Sequence, residues 1–192
     1  MGEGILTSVM RKLSEVVTEE LLWLQPSRMK QVFELKAGDE AVGGLTWKRS
    51  TLADGETADH RWTFKREGFW HPQVTVRVPG SDTNVAVFRP HLTGGGTLEI
   101  APGSEFRLGA ANFWHSQWDW VDAGDKPLVH FKSRQGLLKM EGQVEIESDA
   151  AKSPDLELLV VLGWYLLVLI ARDSASTAGG SAAVIAASAS SA

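Results

Sequence analysis

The sequence contains no cysteine and a single tyrosine among its 192 residues. Without cysteine there are no disulfides, no thiolate catalysis and no cysteine-ligated zinc or iron–sulfur sites. Basic residues are not in excess either. The chain has 19 Lys and Arg and 24 Asp and Glu, which gives a formal net charge of −5. Nucleic-acid binding is favoured by a positive field, so we expect no nucleic-acid partner.

Long hydrophobic runs are scarce as well. The longest apolar run without a charge, Leu158 to Ala171, is shorter than the roughly 20 residues that a membrane-spanning helix needs. This favours a buried core helix over a membrane anchor. A secretory signal has basic residues before an apolar stretch. Here the basic residues Arg11 and Lys12 follow a weakly apolar start, so a signal peptide is not expected. We therefore expect a cytoplasmic protein, either free or peripheral to a membrane.

The first 24 residues have apolar side chains at helical spacing, and acidic and basic residues fall largely between them. This pattern predicts an N-terminal amphipathic helix over Ile5 to Leu22 within residues 1–24. Such a helix could dock on the domain surface or lie on a membrane. Its acidic content disfavours the membrane, because interfacial helices usually carry a Lys- and Arg-rich polar face.

Residues 25–172 are predicted to form one domain, which begins with about ten short strands. Period-two alternation of apolar and polar residues is clear in Arg61–Lys65 and Gln143–Glu147, and turn segments such as Pro79–Asp82 and Gly94–Gly96 separate the strands. No crossover helices lie between them, so the strands must pair antiparallel in a sandwich or a barrel.

The segment 154–171 is predicted to be a helix that is apolar on every side, with Ser153 as its N-cap. A helix without a polar face must be surrounded, and a closed barrel wrapped around it would also leave no exposed sheet edge. The fold class we predict is therefore mainly β, a closed antiparallel barrel around a central hydrophobic C-terminal helix. Residues 173–192 are almost entirely Ala, Ser, Gly and Thr, which predicts a flexible tail.

The order of strand meander, Lys139–Ile146 and the apolar segment Asp155–Leu166 resembles the tubby C-terminal-like group, which includes LURP-one-related proteins and phospholipid scramblases. The Trp118-x-Trp120-x-Asp122 pattern is in the same style. The resemblance implies a barrel of twelve strands. It also implies binding of phosphoinositide headgroups or association with membrane lipid and calcium. The chain has no acidic calcium loop, no cysteine cluster for palmitoylation and no recognisable phosphoinositide motif, so only the fold carries over.

Motifs for catalysis, cofactors and metals are not recognisable. The five histidines have neither helical i, i+4 spacing nor strand His-x-His spacing, and no Gly-x-Ser-x-Gly elbow is present. The glycine triplet Gly94–Gly96 precedes a strand-like segment rather than a helix, so it predicts a hairpin turn and not a phosphate loop. We expect a protein that is not an enzyme and that uses no cofactor or metal.

The remaining candidate site is a set of basic and aromatic residues that strand pairing could bring together as an anion or ligand patch. Its members are Lys65, Arg77, Arg89, Lys132, Arg134, Trp118 and Trp120. Scattered solubilising charges on a barrel exterior are the alternative for the basic residues. Trp70, Trp114, Trp118 and Trp120 could form an apolar rim for a lipid, or they could fill the barrel interior and its ends.

The function that these patterns favour is a non-enzymatic tubby-like binding module with anionic lipid headgroups at a membrane surface as its candidate ligand. One alternative is a structural or protein-binding domain that uses the N-terminal helix. A more remote alternative is a small-molecule enzyme with its site at a barrel mouth.

Overall fold

The computed structural model describes residues 10–27, 31–92, 94–112, 114, 116–135 and 140–189. Twelve antiparallel strands and one long helix dominate the described chain. The strands are β1 Leu21–Leu24, β2 Val32–Ala37, β3 Glu40–Trp47, β4 Leu52–Thr57, β5 Arg61–Glu67, β6 Gln73–Arg77, β7 Asn84–Pro90, β8 Gly96–Ile100, β9 Ser104–Ala110, β10 Gln117–Asp122, β11 Pro127–Gln135 and β12 Met140–Ile146. The helix α1 spans Leu156–Ala189, and 3-10 turns occupy Leu13–Glu15 and Ala150–Lys152.

Each strand pairs with its neighbours in sequence, and β1 pairs with β12 to close the barrel. Leu21 lies opposite Val144 on β12 and opposite Ala37 on β2. The period-two pattern seen in the sequence is the inside–outside alternation of these strands. Trp62 and Phe64 on β5 are buried, for example, while Arg61 and Lys65 are exposed. The predicted fold class, a closed antiparallel barrel with one apolar C-terminal helix, is confirmed.

Helix α1 fills the barrel. Every residue from Leu158 to Leu169 is buried, so the strands enclose the helix on all sides. By length and composition, Leu156–Ser176 is the one helical stretch of the described chain that could cross a membrane, with a mean hydropathy of 1.8, and 67% of its apolar window is buried inside the protein. Most of the apolar side chains of this stretch are thus buried in the barrel interior in this structure.

Three glycines make room for this helix. A Cβ on Gly163 of α1 would lie 2.4 Å from the ring of Phe131 and 2.7 Å from Nε1 of Trp120. A Cβ on Gly142 of β12 would meet the Trp164 ring at 2.5 Å, and one on Gly55 of β4 would meet Val161 at 2.7 Å. At the Gly163 contact, the Trp120 indole donates a hydrogen bond of 2.8 Å to the carbonyl oxygen of Leu159. The helix and the wall are therefore in such close contact at these three positions that a side chain on the glycine would overlap its neighbour.

The two ends of the barrel differ. At the capped end, where α1 begins, the two 3-10 turns cover the interior and bury Leu13, Val16 and Ala150. Glu157 in the first turn of α1 accepts hydrogen bonds from Thr57 and His60 there. At the exit end, where α1 leaves the barrel, the Tyr165 hydroxyl donates to the carbonyl oxygen of Thr51 at 2.5 Å. The helix is thus held to the wall at both ends.

The predicted N-terminal amphipathic helix is wrong where the structure describes it, from residue 10 to residue 24. Only Leu13–Glu15 is helical, as a single 3-10 turn, and Leu21–Leu24 is the strand that closes the barrel. Hydrogen bonding to strands on both sides outweighs the local helical spacing of the apolar residues. Ile5 and the rest of residues 1–9 lie outside the described residues.

The predicted boundary at residue 172 also differs from the structure. Helix α1 continues through Ala189, where the sequence predicted a flexible tail from residue 173. Alanine has the highest helix propensity, which favours continuation of a helix that is already nucleated inside the barrel.

The close approach at Gly163 yields a stability prediction. Replacing a helix glycine by alanine normally stabilises a helix by about 1 kcal/mol. Gly163→Ala should instead lower the free energy of unfolding by about 1–3 kcal/mol, because its methyl group overlaps Phe131 and Trp120. Urea unfolding measures this free energy.

The matched control is Gly109→Ala in β9, where a Cβ has nothing within 4 Å. Its free energy of unfolding should stay close to that of the wild type. A Gly163→Ala protein as stable as the wild type would contradict the tight fit of α1 in the barrel.

Candidate functional site

The residues of the predicted anion patch do not come together. Lys65, Arg77 and Arg89 project from the neighbouring strands β5, β6 and β7, whereas Lys132 projects from β11, and β8, β9 and β10 separate β11 from β7. In the backbone register of β11 and β12, Arg134 lies opposite Glu141, so it belongs to the same side of the barrel as Lys132.

The four basic residues of the patch whose side chains are described all have an acidic neighbour. Lys65 binds Glu67 at 2.9 Å, and Lys132 binds Glu145 at 2.6 Å. Arg89 forms an ion pair with Glu99, and Arg77 lies 3.9 Å from Glu67. Each of these four cations therefore has a carboxylate nearby, and together they do not form one cluster.

Trp118 and Trp120 do not belong to a surface patch. Both are buried on the inward face of β10, where alternation places every second side chain. Trp120 contacts Phe88 edge to face, with ring centroids 6.0 Å apart, and bonds the helix backbone. They are core residues, which is the second of the two roles considered for the tryptophans.

The structure instead gathers exposed apolar side chains at the exit end. Phe69 and Trp70 lie between β5 and β6, Leu92 between β7 and β8, and Trp114 between β9 and β10. Their exposed fractions are 88%, 84%, 109% and 82%, so they contribute almost nothing to the core. We call these four residues the apolar rim. Of the large hydrophobic residues that the structure describes, only Val78 is also exposed, and it lies at the capped end.

Charge is segregated between the same two ends. Within the described residues, the segments that join strands at the exit end contain no Asp or Glu, and their basic residues are Lys48 and Arg49. The five strand connections at the capped end, together with residues 147–155, contain two basic residues, Lys126 and Lys152, and these acidic residues: Asp39, Asp59, Asp82, Asp125, Glu147, Asp149 and Asp155. The net charge of −5 therefore conceals a basic end and an acidic end.

A cleft of about 640 Å³ lies where α1 leaves the barrel. We call it the exit cleft, and its lining residues are Gln31, Trp47, Lys48, Arg49, Ser50, Thr51, Arg66, Leu169, Arg172, Asp173 and Ser176. Four of these residues are cations and one is an acid. The cleft is thus a predominantly positive region at the same end of the barrel as the apolar rim.

The cations of the exit cleft are only partly neutralised. Arg66 binds Asp173 at 2.5 Å, and Lys48 lies 3.4 Å from Asp54. Neither Arg49 nor Arg172 has a carboxylate partner among the ion pairs of the described residues. Arg172 lies 3.8 Å above the Trp47 ring and donates to Gln31. Burial lowers the pKa of Arg172 from its ordinary value, although the nearby Tyr165 opposes this.

Two histidine–carboxylate contacts at the other end bear on the enzyme alternative. His60 and Thr57 both bond the same oxygen of Glu157, at 2.7 Å and 2.5 Å. The carboxylate therefore lies between the hydroxyl and the imidazole. A nucleophile activated by a base needs the imidazole in the middle. This group holds the start of α1 and lacks the arrangement of a triad.

His130 lies on the outward face of β11 between two carboxylates. Its Nδ1 is 2.8 Å from Asp119, and its Nε2 is 3.0 Å from Glu147. Both nitrogens donate only when the ring is protonated. Burial lowers the pKa of His130, but the hydrogen bonds and charges of Asp119 and Glu147 outweigh it, and the net pKa is raised. Within the described chain, no three His, Asp or Glu residues form a group that could hold a metal ion.

The comparisons with known proteins found no family model, no curated protein and no solved structure that matches this chain. The site is therefore defined by its geometry. Trp70 and Trp114 are among the tryptophans for which the sequence offers an apolar rim as one role, whereas Phe69 and Leu92 are not part of that prediction. Phe69 and Leu92 lie between predicted strands, where large apolar side chains have no core to enter, and this placement is the signal that could have identified them.

His130 makes the stability of the protein depend on pH. A group whose pKa is raised in the folded state stabilises the fold below its unfolded pKa, near 6.5, and loses that contribution as the pH rises through the folded value. His130→Asn should therefore cost more free energy of unfolding at pH 5.5 than at pH 8.5, as measured by urea unfolding at the two pH values.

The matched control for this test is His71→Asn at the exposed β5–β6 connection. It should change the free energy of unfolding equally little at both pH values. An equal cost of His130→Asn at the two pH values would show that the ring is not protonated between its carboxylates.

Proposed function

We propose that this protein is a non-enzymatic binding module that attaches to anionic membrane surfaces through its exit end. The apolar rim carries the proposal, since four large exposed side chains lie on three connections at one end of the barrel. An exposed apolar cluster bordered by polar residues is typical of a protein or membrane interaction site. Tryptophan in particular is enriched at the level of lipid headgroups.

The charge of the exit end favours a membrane over a protein partner as the occupant of this surface. Lys and Arg near an anionic bilayer contribute about 1 kcal/mol each. The connections at this end lack acidic residues, and the exit cleft adds Arg66 and Arg172. The acidic connections at the capped end would be repelled by the same surface, which gives the bound protein one orientation.

The architecture is in keeping with this proposal. A twelve-stranded barrel around an apolar helix is what the resemblance to the tubby C-terminal-like group implies, and we propose that the chain belongs with that group as a cytoplasmic protein peripheral to a membrane. The alternative of a protein-binding domain relied on the N-terminal helix, and residues 10–24 do not form it.

Co-sedimentation with vesicles tests the proposal. The protein should bind vesicles of phosphatidylcholine with added phosphatidylserine and bind pure phosphatidylcholine weakly, and added salt should release it. The double variant Trp70→Ser and Trp114→Ser should weaken binding by about tenfold or more, because two large apolar side chains leave the interface. Val78→Ser, an exposed apolar residue at the capped end, is the matched control and should bind like the wild type.

The charge contribution is tested with a second matched pair. Arg49→Gln at the exit end should weaken binding to anionic vesicles and reduce its salt dependence. Arg61→Gln removes an exposed arginine at the capped end and should change neither. Equal binding by both variants and the wild type, or an absence of binding to either vesicle, would overturn the proposal.

A further inference from the structure

A second, apolar cavity lies beside the exit cleft. It has a volume of about 230 Å³ and lies between α1 and the strands β6, β7 and β10. We call it the side cavity, and its apolar walls are Val74, Phe88, Trp118, Leu166, Leu169 and Ile170. An apolar cavity of about 150 Å³ is already large enough to stay dry and take up benzene. The side cavity therefore has room for several carbons of an aliphatic chain.

The side cavity and the exit cleft meet at an ion pair. Arg66, Leu169 and Asp173 line both spaces, and the Arg66 guanidinium bonds Asp173 at 2.5 Å and 3.3 Å. The Asp173 side chain is more than half exposed, at 56%. It is therefore a carboxylate that another anion could replace on Arg66 without opening the core. The apolar walls of the side cavity thus end beside the Arg66 guanidinium.

We propose that the exit end binds one molecule of a single-chain anionic amphiphile. The aliphatic chain occupies the side cavity, and the acidic group bonds Arg66 in place of Asp173, with Arg172 and Arg49 supplying further positive charge. The pairing of an apolar cavity with adjacent cations selects an anionic chain over a cationic one, because a cationic head group would be repelled by Arg66, Arg172 and Arg49, whereas an acidic group can bond them. This goes beyond attachment to a membrane surface, in which no chain enters the protein.

Two glycines lie in the turn that borders the side cavity. Gly94 and Gly95 line the cavity with positive φ angles of 92° and 67°. A Cβ on Gly95 would lie 2.0 Å from the carbonyl oxygen of Leu108, so only glycine fits there, while a Cβ on Gly94 would meet nothing within 4 Å. The turn therefore keeps the mouth free of side chains at these two positions.

Isothermal titration calorimetry with monomeric laurate tests this inference. The wild type should bind one laurate per chain, and dodecyltrimethylammonium, with the same chain length and the opposite charge, should not bind. Ile170→Trp fills the cavity, and Arg66→Gln removes the cation, and each should weaken laurate binding by about tenfold or more. Ile146→Trp is the matched control, a partly buried residue at the other end of the barrel, and should bind laurate like the wild type.

Unsaturable laurate binding, equal binding of the two detergents, or unchanged binding by both Ile170→Trp and Arg66→Gln would overturn the inference. Vesicle co-sedimentation of the Ile170→Trp protein separates this result from the proposed function. Loss of laurate binding with retained vesicle binding supports a chain inside the side cavity. Vesicle binding by a wild type that takes up no laurate would refute this inference alone.

Discussion

The burial of α1 on every side is the constraint on which the rest of the structure depends. From Leu158 to Leu169 the helix has no polar face, so only a fully enclosing wall keeps it from water. A closed barrel meets that need and also pairs every strand edge, through β1 against β12. The wall comes so close that Gly55, Gly142 and Gly163 are needed where side chains would overlap. Helix and barrel therefore form one packing unit.

The same constraint explains why the two ends of the barrel differ. The helix begins beneath the 3-10 turns, where Glu157 bonds Thr57 and His60, and this end is covered. The helix leaves the barrel at the other end, where the exit cleft lies. Arg66, Arg172 and Asp173 collect around the departing helix, and apolar side chains stand on the surrounding connections. The surface that we propose as the ligand-binding site thus lies where α1 leaves the barrel.

Much of the fold could be predicted from the sequence, because the alternation in Arg61–Lys65 indicates a half-buried strand and the apolar run after Asp155 indicates a helix that must be enclosed. The strand Leu21–Leu24 could not be predicted, since Leu21 continues the helical spacing of the apolar residues before it and the strand's partner β12 is distant in sequence. The residues of the candidate site could be predicted less well than the fold. The predicted cations Lys65 and Lys132 have carboxylate partners across or along strands, and Trp118 points inward by register. Local patterns show which residues alternate, but convergence at one end of a barrel depends on the pairing of all strands.

Native-state hydrogen exchange tests the enclosed helix most directly. If the barrel surrounds α1, the amides of Leu159 to Leu167 can exchange only when the barrel opens, so their free energy of exchange should equal that of global unfolding and match the slowest strand amides. A helix that lies against the outside of the sheet would open separately. Exchange of these amides at a clearly lower free energy than those of β10 and β11 would contradict the account.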